Sequence, residues 1–272
     1  MRLLTLKEAA RLGAEEVGGK ALGLARLAAL GVPVPDAMVL PAAAHERWAR
    51  MRRLSQEEAR ELWRAASELG QPLAVRSSAA DEDGARRSAA GQYESVMDVR
   101  EAAALKAAIE RCYSAAAGER AVAYRSAPGP SRVALVLQRE VVADRAGVAF
   151  SADPTRSSGA SVVIEAVFGH GEGVVSGELA PDRYLVDRES KTVHARIADK
   201  QAMADGRGHL VALPAERRLS RVLRDHEARE LAELVLKIEA SFGAPVDVEF
   251  CYAGRRLWLL QARPITTLHG LT

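Results

Sequence analysis

The last part of the chain alternates. Val246, Val248, Phe250 and Tyr252 recur at every second position, a short glycine-containing stretch interrupts, and Trp258, Leu260 and Ala262 recur in the same way beyond it. Period-two alternation sends successive side chains to opposite faces of a strand, so the segment reads as an antiparallel hairpin with one apolar face. With a turn of Gly254-Arg255-Arg256, both apolar sets share that face, Glu249 lies opposite Gln261, and Asp247 lies opposite Arg263. A slip of one residue would mix the two faces, so the pattern selects this register. The other face then collects a carboxylate, an amide oxygen and a guanidinium. Hard oxygens of that kind suit Mg²⁺, and an arginine binds phosphate oxygens bidentately. Ordinary cross-strand ion pairing on a solvated face accounts for the same residues.

The hairpin needs a body to pack on, and 272 residues provide one, as one large domain or two lobes. With 48% hydrophobic and 27% charged residues the chain has the makeup of a folded globular protein. Lys and Arg number 38 against 36 Asp and Glu. That balance removes the electrostatic case for a nucleic-acid or anionic-membrane partner. No apolar run reaches the ~18 residues of a membrane span, and the start, Met1 to Glu8, is charged too soon for a signal peptide. Cys112 and Cys251 have neither metal-site spacing nor a disulfide framework, so a reducing cytoplasm is the expected location. Only six of the basic residues are lysines, which makes each lysine worth inspecting.

Along the chain, a helix is expected after Gly18-Gly19-Lys20, carrying Leu22, Leu24, Leu27 and Leu30, followed by a short strand from Ala37 to Leu40. Ser55 with Glu58 forms a capping box for a helix running to Gly70. A strand Leu73 to Arg76 precedes an unusually long small-residue loop, 77–92, and an Ala-rich helix covers about Glu101 to Ala117. Strands are expected at 132–142, 147–151, 161–167 and 184–187. An amphipathic helix spans about Leu219 to Ser241, with Val222, Leu223, Leu231, Leu234, Val235 and Ile238 facing inward. Helices lead and strands cluster later, the order of an α+β protein in two lobes, 1–125 and 131–272, joined by Ser126-Ala127-Pro128-Gly129-Pro130.

Other segments offer chemistry beside plainer readings. Gly18-Gly19-Lys20 at a helix start presents N–H groups and an ammonium to a phosphate, or is a helix N-terminus with a snorkelling lysine. Arg76 leaves an apolar strand beside Ser77 and Ser78, positioned to reach a ligand or to pair with the acidic run Asp81-Glu82-Asp83. Gly91-Gln92 and Ser95 make either a backbone cradle for polyphosphate or a plain loop. Gln138 ends an apolar strand, where a side chain can read an adenine edge. Gly169-His170-Gly171-Glu172-Gly173 is a phosphate-facing loop or a tight turn, and the turn is favoured. His170 shows no partner carboxylate that would make it a base.

Taken together these segments resemble the nucleotide-binding domain of the phosphoenolpyruvate synthase and pyruvate phosphate dikinase family, also found in rifampicin phosphotransferases. The likeness runs from Gly18-Gly19-Lys20-Ala21-Leu22-Gly23-Leu24 through Ala74-Val75-Arg76-Ser77-Ser78, Ala90-Gly91-Gln92, Gly147-Val148-Ala149-Phe150-Ser151-Ala152-Asp153-Pro154 and Gly177-Glu178-Leu179-Ala180-Pro181-Asp182 to Leu260-Gln261-Ala262-Arg263-Pro264. It implies an ATP-grasp fold, two α+β lobes clamping ATP. By the same resemblance Lys20 and Arg76 hold the ATP phosphates, Gly91 and Ser95 belong to the loop over the polyphosphate, and Gln138 meets the adenine edge. Glu249 and Gln261 are similar to the family's Mg²⁺-binding pair, and Arg263 to the arginine that steadies the transferring phosphoryl group. Glu165 and Lys200 fall in matching stretches with less defined roles.

The chain departs from the family at Arg139-Glu140, where a basic residue and Met are usual, and at His170, where Leu is usual. A Glu at that position is expected to alter adenine packing. Family enzymes continue into a swivelling domain with a phosphorylatable histidine and then an acceptor domain, and none of the six histidines here stands in that motif. The resemblance therefore implies a Mg-dependent ATP phosphotransferase, incomplete alone, whose acceptor is a histidine on a separate chain or missing domain. The competing readings are an ATP-binding sensor or scaffold without turnover and an ATP-grasp ligase making an acyl phosphate.

Overall fold

The computed structural model describes residues 1–80, 94–116, 132–153, 160–171, 177–206 and 209–265. Two compact units divide the chain, Met1–Glu140 and Val141–Thr272.

In the first unit, β1 (Leu4–Thr5), β2 (Ala37–Leu40), β3 (Leu73–Ala79), β4 (Ser95–Val99) and β5 (Val133–Arg139) form one sheet in the order β1-β2-β5-β3-β4, every pairing antiparallel. Helices cover both faces. On one face, α3 (Ala42–Met51), α4 (Gln56–Ala66) and α5 (Ala102–Ala116) pack Trp48, Leu62, Ile109 and Tyr113 against Leu73, Val75, Leu135 and Leu137. On the other, α1 (Leu6–Ala9) and α2 (Ala14–Ala29) pack Val17, Ala21 and Leu24 against Ala37, Val39, Ala134 and Val136. β5 is central to this sheet, bonded to both β2 and β3. The sequence reading put it in the second lobe; an apolar run shows that a strand is buried but not which sheet buries it. The linker proposed at 126–130 lies outside the described residues.

Local signals behave as their chemistry dictates. The Ser55 hydroxyl accepts from the Glu58 N–H, and the Glu58 carboxylate accepts from the Ser55 N–H at 2.9 Å, closing the expected capping box. β3 continues three residues beyond Arg76, into what reads in sequence as loop, because Ser77, Ser78 and Ala79 pair with Leu135, Ala134 and Val133.

The second unit is built on β6 (Arg145–Phe150), β7 (Ser161–Phe168), β8 (Asp182–Asp187), β9 (Val193–Arg196), β12 (Val246–Ala253) and β13 (Arg256–Pro264), in the antiparallel order β13-β12-β6-β7-β8-β9. A small ribbon of β10 (Ala202–Ala204) and β11 (Leu210–Ala212) accompanies it, together with a one-turn helix, α6 (Ala215–Arg218). Helix α7 (Asp225–Phe242) lays Ala228, Leu231, Ala232, Val235 and Ile238 on one face of the sheet. Burying a Leu or Ile side chain this fully contributes roughly 1.5–3 kcal/mol. α7 begins six residues later than its apolar stripe predicts. Val222 and Leu223 are buried, but in the approach to the helix, where their N–H groups donate to the Asp182 carboxylate at 2.8 Å and the Tyr184 hydroxyl at 2.9 Å.

The terminal hairpin holds the expected pairs Asp247 with Arg263 and Glu249 with Gln261 by a different route. Its turn is two residues, Gly254-Arg255, with Gly254 at φ 59°, a conformation a two-residue hairpin turn favours and glycine adopts freely. A bulge between Glu249 and Phe250 takes up the difference: Phe250 faces Leu259, and Leu260 is the extra residue. Trp258 therefore pairs with Cys251 and packs beside Ala146, rather than sharing the Phe250 and Tyr252 face.

Candidate functional site

Each unit gathers the singled-out residues on one sheet face. In the first unit Ala134, Val136 and Gln138 on β5 stand opposite Ser78, Arg76 and Ala74 on β3, and Ser95 on β4 stands opposite Arg76. Ala134 and Val136 face α2, so alternation puts Gln138, Arg76 and Ser95 on the α2 side of the sheet, with Lys20 supplied by α2 itself. Lys20 and Arg76 are half-buried and Ser95 is exposed, whereas Gln138 is only 2% exposed and its Nε2 has no hydrogen-bond partner among the described residues. A buried amide donor in that state costs about 1–3 kcal/mol unless a ligand satisfies it. Gly91 lies outside the described residues.

Lys20 owes its position to a break in α2. Gly18, at φ 77° and ψ 164°, interrupts the helix between Val17 and Gly19. No other residue fits there, since a Cβ at Gly18 would stand 2.2 Å from both the carbonyl oxygen and the Oγ of Ser78. Gly18 separates two helical segments merged in α2, so Gly18-Gly19-Lys20 stands at the start of the second, as expected from sequence, and a further helical turn from Ala14 precedes it.

Glu140 has a structural occupation. Its Oε2 accepts the Asp98 N–H at 2.7 Å, where Asp98 holds a left-handed φ of 58°, and its own N–H donates to the Pro72 carbonyl at 2.9 Å. The carboxylate that departs from the family pattern at this position thus ties the end of β5 to β4.

In the second unit one row of cross-strand partners runs Gln261, Glu249, Val148, Glu165, Arg183, Arg196 across six strands. The next row begins Arg263, Asp247, Phe150. Both lie on the face away from α7, because the alternate row contains Asp182 and Tyr184, whose side chains bond the segment leading into α7. Arg263 donates from Nε at 2.9 Å and Nη2 at 2.8 Å to a single oxygen, Oδ2 of Asp247. Burial pushes the Asp247 carboxyl above its ordinary range; Arg263 opposes this and the nearby Glu249 charge adds to it. Its second oxygen, Oδ1, is buried without a hydrogen-bond partner among the described residues. The hairpin face therefore holds a half-satisfied carboxylate, a second carboxylate two residues along and the amide of Gln261. Among the described residues no group of three or more His, Cys, Asp or Glu could hold a metal ion, so Glu249 and Gln261 would be a two-residue protein contribution to one.

Two residues turn out to be structural. His170 is 8% exposed, and its Nε2 accepts the Ala143 N–H at 3.2 Å; Gly169, at φ 77°, bridges to Ala204. Glu172 and Gly173 of this glycine-rich stretch lie outside the described residues. Lys200 is buried and donates to Asp182 Oδ1 at 2.6 Å and to the Ala198 carbonyl at 3.0 Å. Its ammonium is occupied inside the unit. Sequence reasoning missed the rest of that network: the Tyr184 hydroxyl two residues from Asp182, and the N–H groups of Ala198 and Val222, 16 and 40 residues from it.

No helix among the described residues is long and apolar enough to cross a membrane. The family model of the pyruvate phosphate dikinase AMP/ATP-binding domain matches residues 48–270. A probable phosphoenolpyruvate synthase of Methanocaldococcus jannaschii is 38% identical over 205 residues, 72% of this chain and 17% of that protein. The prodigiosin synthesizing transferase PigC of Serratia marcescens is 35% identical over 280 residues, 92% of this chain and 32% of that one. A rifampicin phosphotransferase of Streptomyces sviceus is 37% identical over 202 residues, 72% of this chain and 23% of that one. The chain spans about a sixth to a third of the length of these relatives.

Proposed function

Because the chain belongs to the family of the pyruvate phosphate dikinase AMP/ATP-binding domain, we propose that it is the ATP-binding, Mg²⁺-dependent part of a phosphotransferase of phosphoenolpyruvate synthase type, with the ATP-grasp arrangement that family implies. Lys20 and Arg76 hold the phosphates, Gly91 belongs to the covering loop that the family implies, and Ser95, at the start of β4 opposite Arg76, meets the polyphosphate beside them. Gln138 meets the adenine edge, and its buried Nε2, without a hydrogen-bond partner among the described residues, supports this role. Glu249 and Gln261 hold Mg²⁺, and Arg263, aimed by Asp247, steadies the phosphoryl group. The observation that carries the reading is the hairpin register, which sets Glu249 beside Gln261 and Asp247 beside Arg263 on one sheet face.

The donor set fits the metal: a carboxylate and an amide oxygen are the hard ligands Mg²⁺ takes when phosphate oxygens and water complete its shell. Bound there, Mg²⁺ would offset phosphate charge. Positioning and charge neutralisation by Lys20, Arg76 and Arg263 supply most of what phosphoryl transfer requires of a protein. The phosphoryl acceptor is a histidine on a separate chain or on a further domain.

Calorimetry with ATP and Mg²⁺, followed by an assay for AMP in the presence of a phosphohistidine-domain partner, tests the reading. Binding with AMP release is expected, and Glu249→Ala or Arg263→Ala should abolish turnover while leaving the fold intact. Full turnover in either variant would remove the hairpin from the mechanism. Binding without AMP would favour an ATP sensor, and ADP release with an acid and an amine would favour a ligase.

A further inference from the structure

The kink in α2 is held from outside the helix. In an unbroken helix the carbonyl of Val17 would accept the N–H of Ala21, four residues on. Here the Ser78 hydroxyl stands between those two groups: it donates to the Val17 carbonyl at 2.8 Å and accepts the Ala21 N–H at 3.1 Å. A hydroxyl has one proton to give and lone pairs to receive, so a single serine can bridge both broken ends. Side-chain insertion into the helical ladder is a recognised cause of sharp kinks. The three residues enclosed by the bridge are Gly18, Gly19 and Lys20. Ser78 is fully buried, and its approach requires the missing Cβ of Gly18. Two residues earlier on the same strand and the same face stands Arg76.

We propose that Ser78 is a positioning residue: it splints the α2 kink and so sets where the Lys20 ammonium is presented, an inference that rests on the phosphate-holding role given to Lys20 above. Without the hydroxyl, the Val17 carbonyl and the Ala21 N–H are free to pair with each other. The helix then closes over the kink and Lys20 turns away from its direction of presentation. The strand that offers Arg76 therefore also sets the lysine beside it.

The test pairs a structural readout with a binding one. In Ser78→Ala, amide hydrogen exchange should change at 17–21 while α5 and the rest of the sheet keep their protection. Affinity for ATP with Mg²⁺ should fall roughly tenfold, about the weight of one hydrogen bond to a charged group. Because Ser78 acts through Lys20, the Lys20→Ala/Ser78→Ala double variant should bind ATP no more weakly than Lys20→Ala alone. Ser78→Cys, which retains a weak donor and acceptor, should fall between wild type and Ser78→Ala, and it carries the same measurements if the alanine variant does not fold. Ser78→Ala binding within twofold of wild type, unchanged exchange at 17–21, or losses that multiply in the double variant would each overturn the proposal. If Lys20→Ala alone binds as wild type does, the role of Lys20 fails first and the splint's functional meaning falls with it, whatever the exchange data show.

Discussion

Replacing Lys200 by methionine keeps most of the side-chain stem and deletes the ammonium, which leaves the Asp182 carboxylate buried beside an apolar group. The pair is 2% and 0% exposed, with 2.6 Å between Nζ and Oδ1. Removing one partner of such a buried pair typically costs ~3–5 kcal/mol, because the remaining charge stays out of water without compensation. Asp182 retains three donors, the N–H of Ala198 at 3.0 Å, the N–H of Val222 at 2.8 Å and the Tyr184 hydroxyl at 3.2 Å. Those neutral donors soften the loss, so the expected cost lies at the low end, about 3 kcal/mol. Against a typical total of ~5–15 kcal/mol this is a large fraction of the unit's stability. At roughly 2–4 °C per kcal/mol it corresponds to a melting point lowered by about 6–12 °C. Equilibrium urea unfolding and thermal melting of the full chain measure it. A loss below ~1 kcal/mol would refute the reasoning, for it would mean that three neutral hydrogen bonds suffice for the carboxylate and that Lys200 is not its counter-charge.

Three further outcomes follow from the same kind of accounting. Glu227 accepts Arg145 Nη1 through both oxygens, at 3.0 and 2.8 Å, and the Arg224 N–H at 2.8 Å; Glu227→Gln should lower the urea-unfolding free energy by about 2 kcal/mol. Although burial raises the Glu227 and Glu110 carboxyls, Arg145 with Arg224 and Lys106 with Leu54 hold them below the ordinary value of 4.5. For depressed groups of this kind the stability contributed is complete above the unfolded value and is lost as pH falls through the folded values. Melting points should therefore decline on acidification below about pH 4.5, less steeply in Glu227→Gln; an equally steep decline in that variant would show that Glu227 takes no part. Leu231→Ala empties a fully buried position under α7 and should cost ~2–5 kcal/mol by denaturation, the range for such truncations.

Alternation and capping made much of this protein legible from its residues. The pairs Glu249–Gln261 and Asp247–Arg263 follow from period two, and the Ser55–Glu58 box from its spacing. The turn length does not. A three-residue turn without a bulge and a two-residue turn with one both place Glu249 opposite Gln261, so the polar face was read correctly while Trp258 was assigned the wrong neighbours. Val222 and Leu223 passed for helix because burial, not helicity, is what an apolar stripe reports; here burial comes from a backbone anchored on Asp182 and Tyr184. The part played by Ser78 had no local signal, since its partners lie 57 and 61 residues away. The buried Lys200 pair was hidden for the same reason: a carboxylate 18 residues upstream leaves no periodic trace.

The extra residue in the hairpin separates two tasks that a regular ladder would merge. Deleting Leu260 would bring every remaining cross-strand pair into one continuous register, 249 with 261 and 253 with 256 alike. The bulge is therefore not needed to choose partners. What an inserted residue adds to a strand is bend and extra right-handed twist, and it adds them immediately beside Gln261. Leu260 thus acts as a steering joint: pairing decides which side chains meet on that face, and the bulge sets the bend and twist of the strand that carries Gln261 and Arg263.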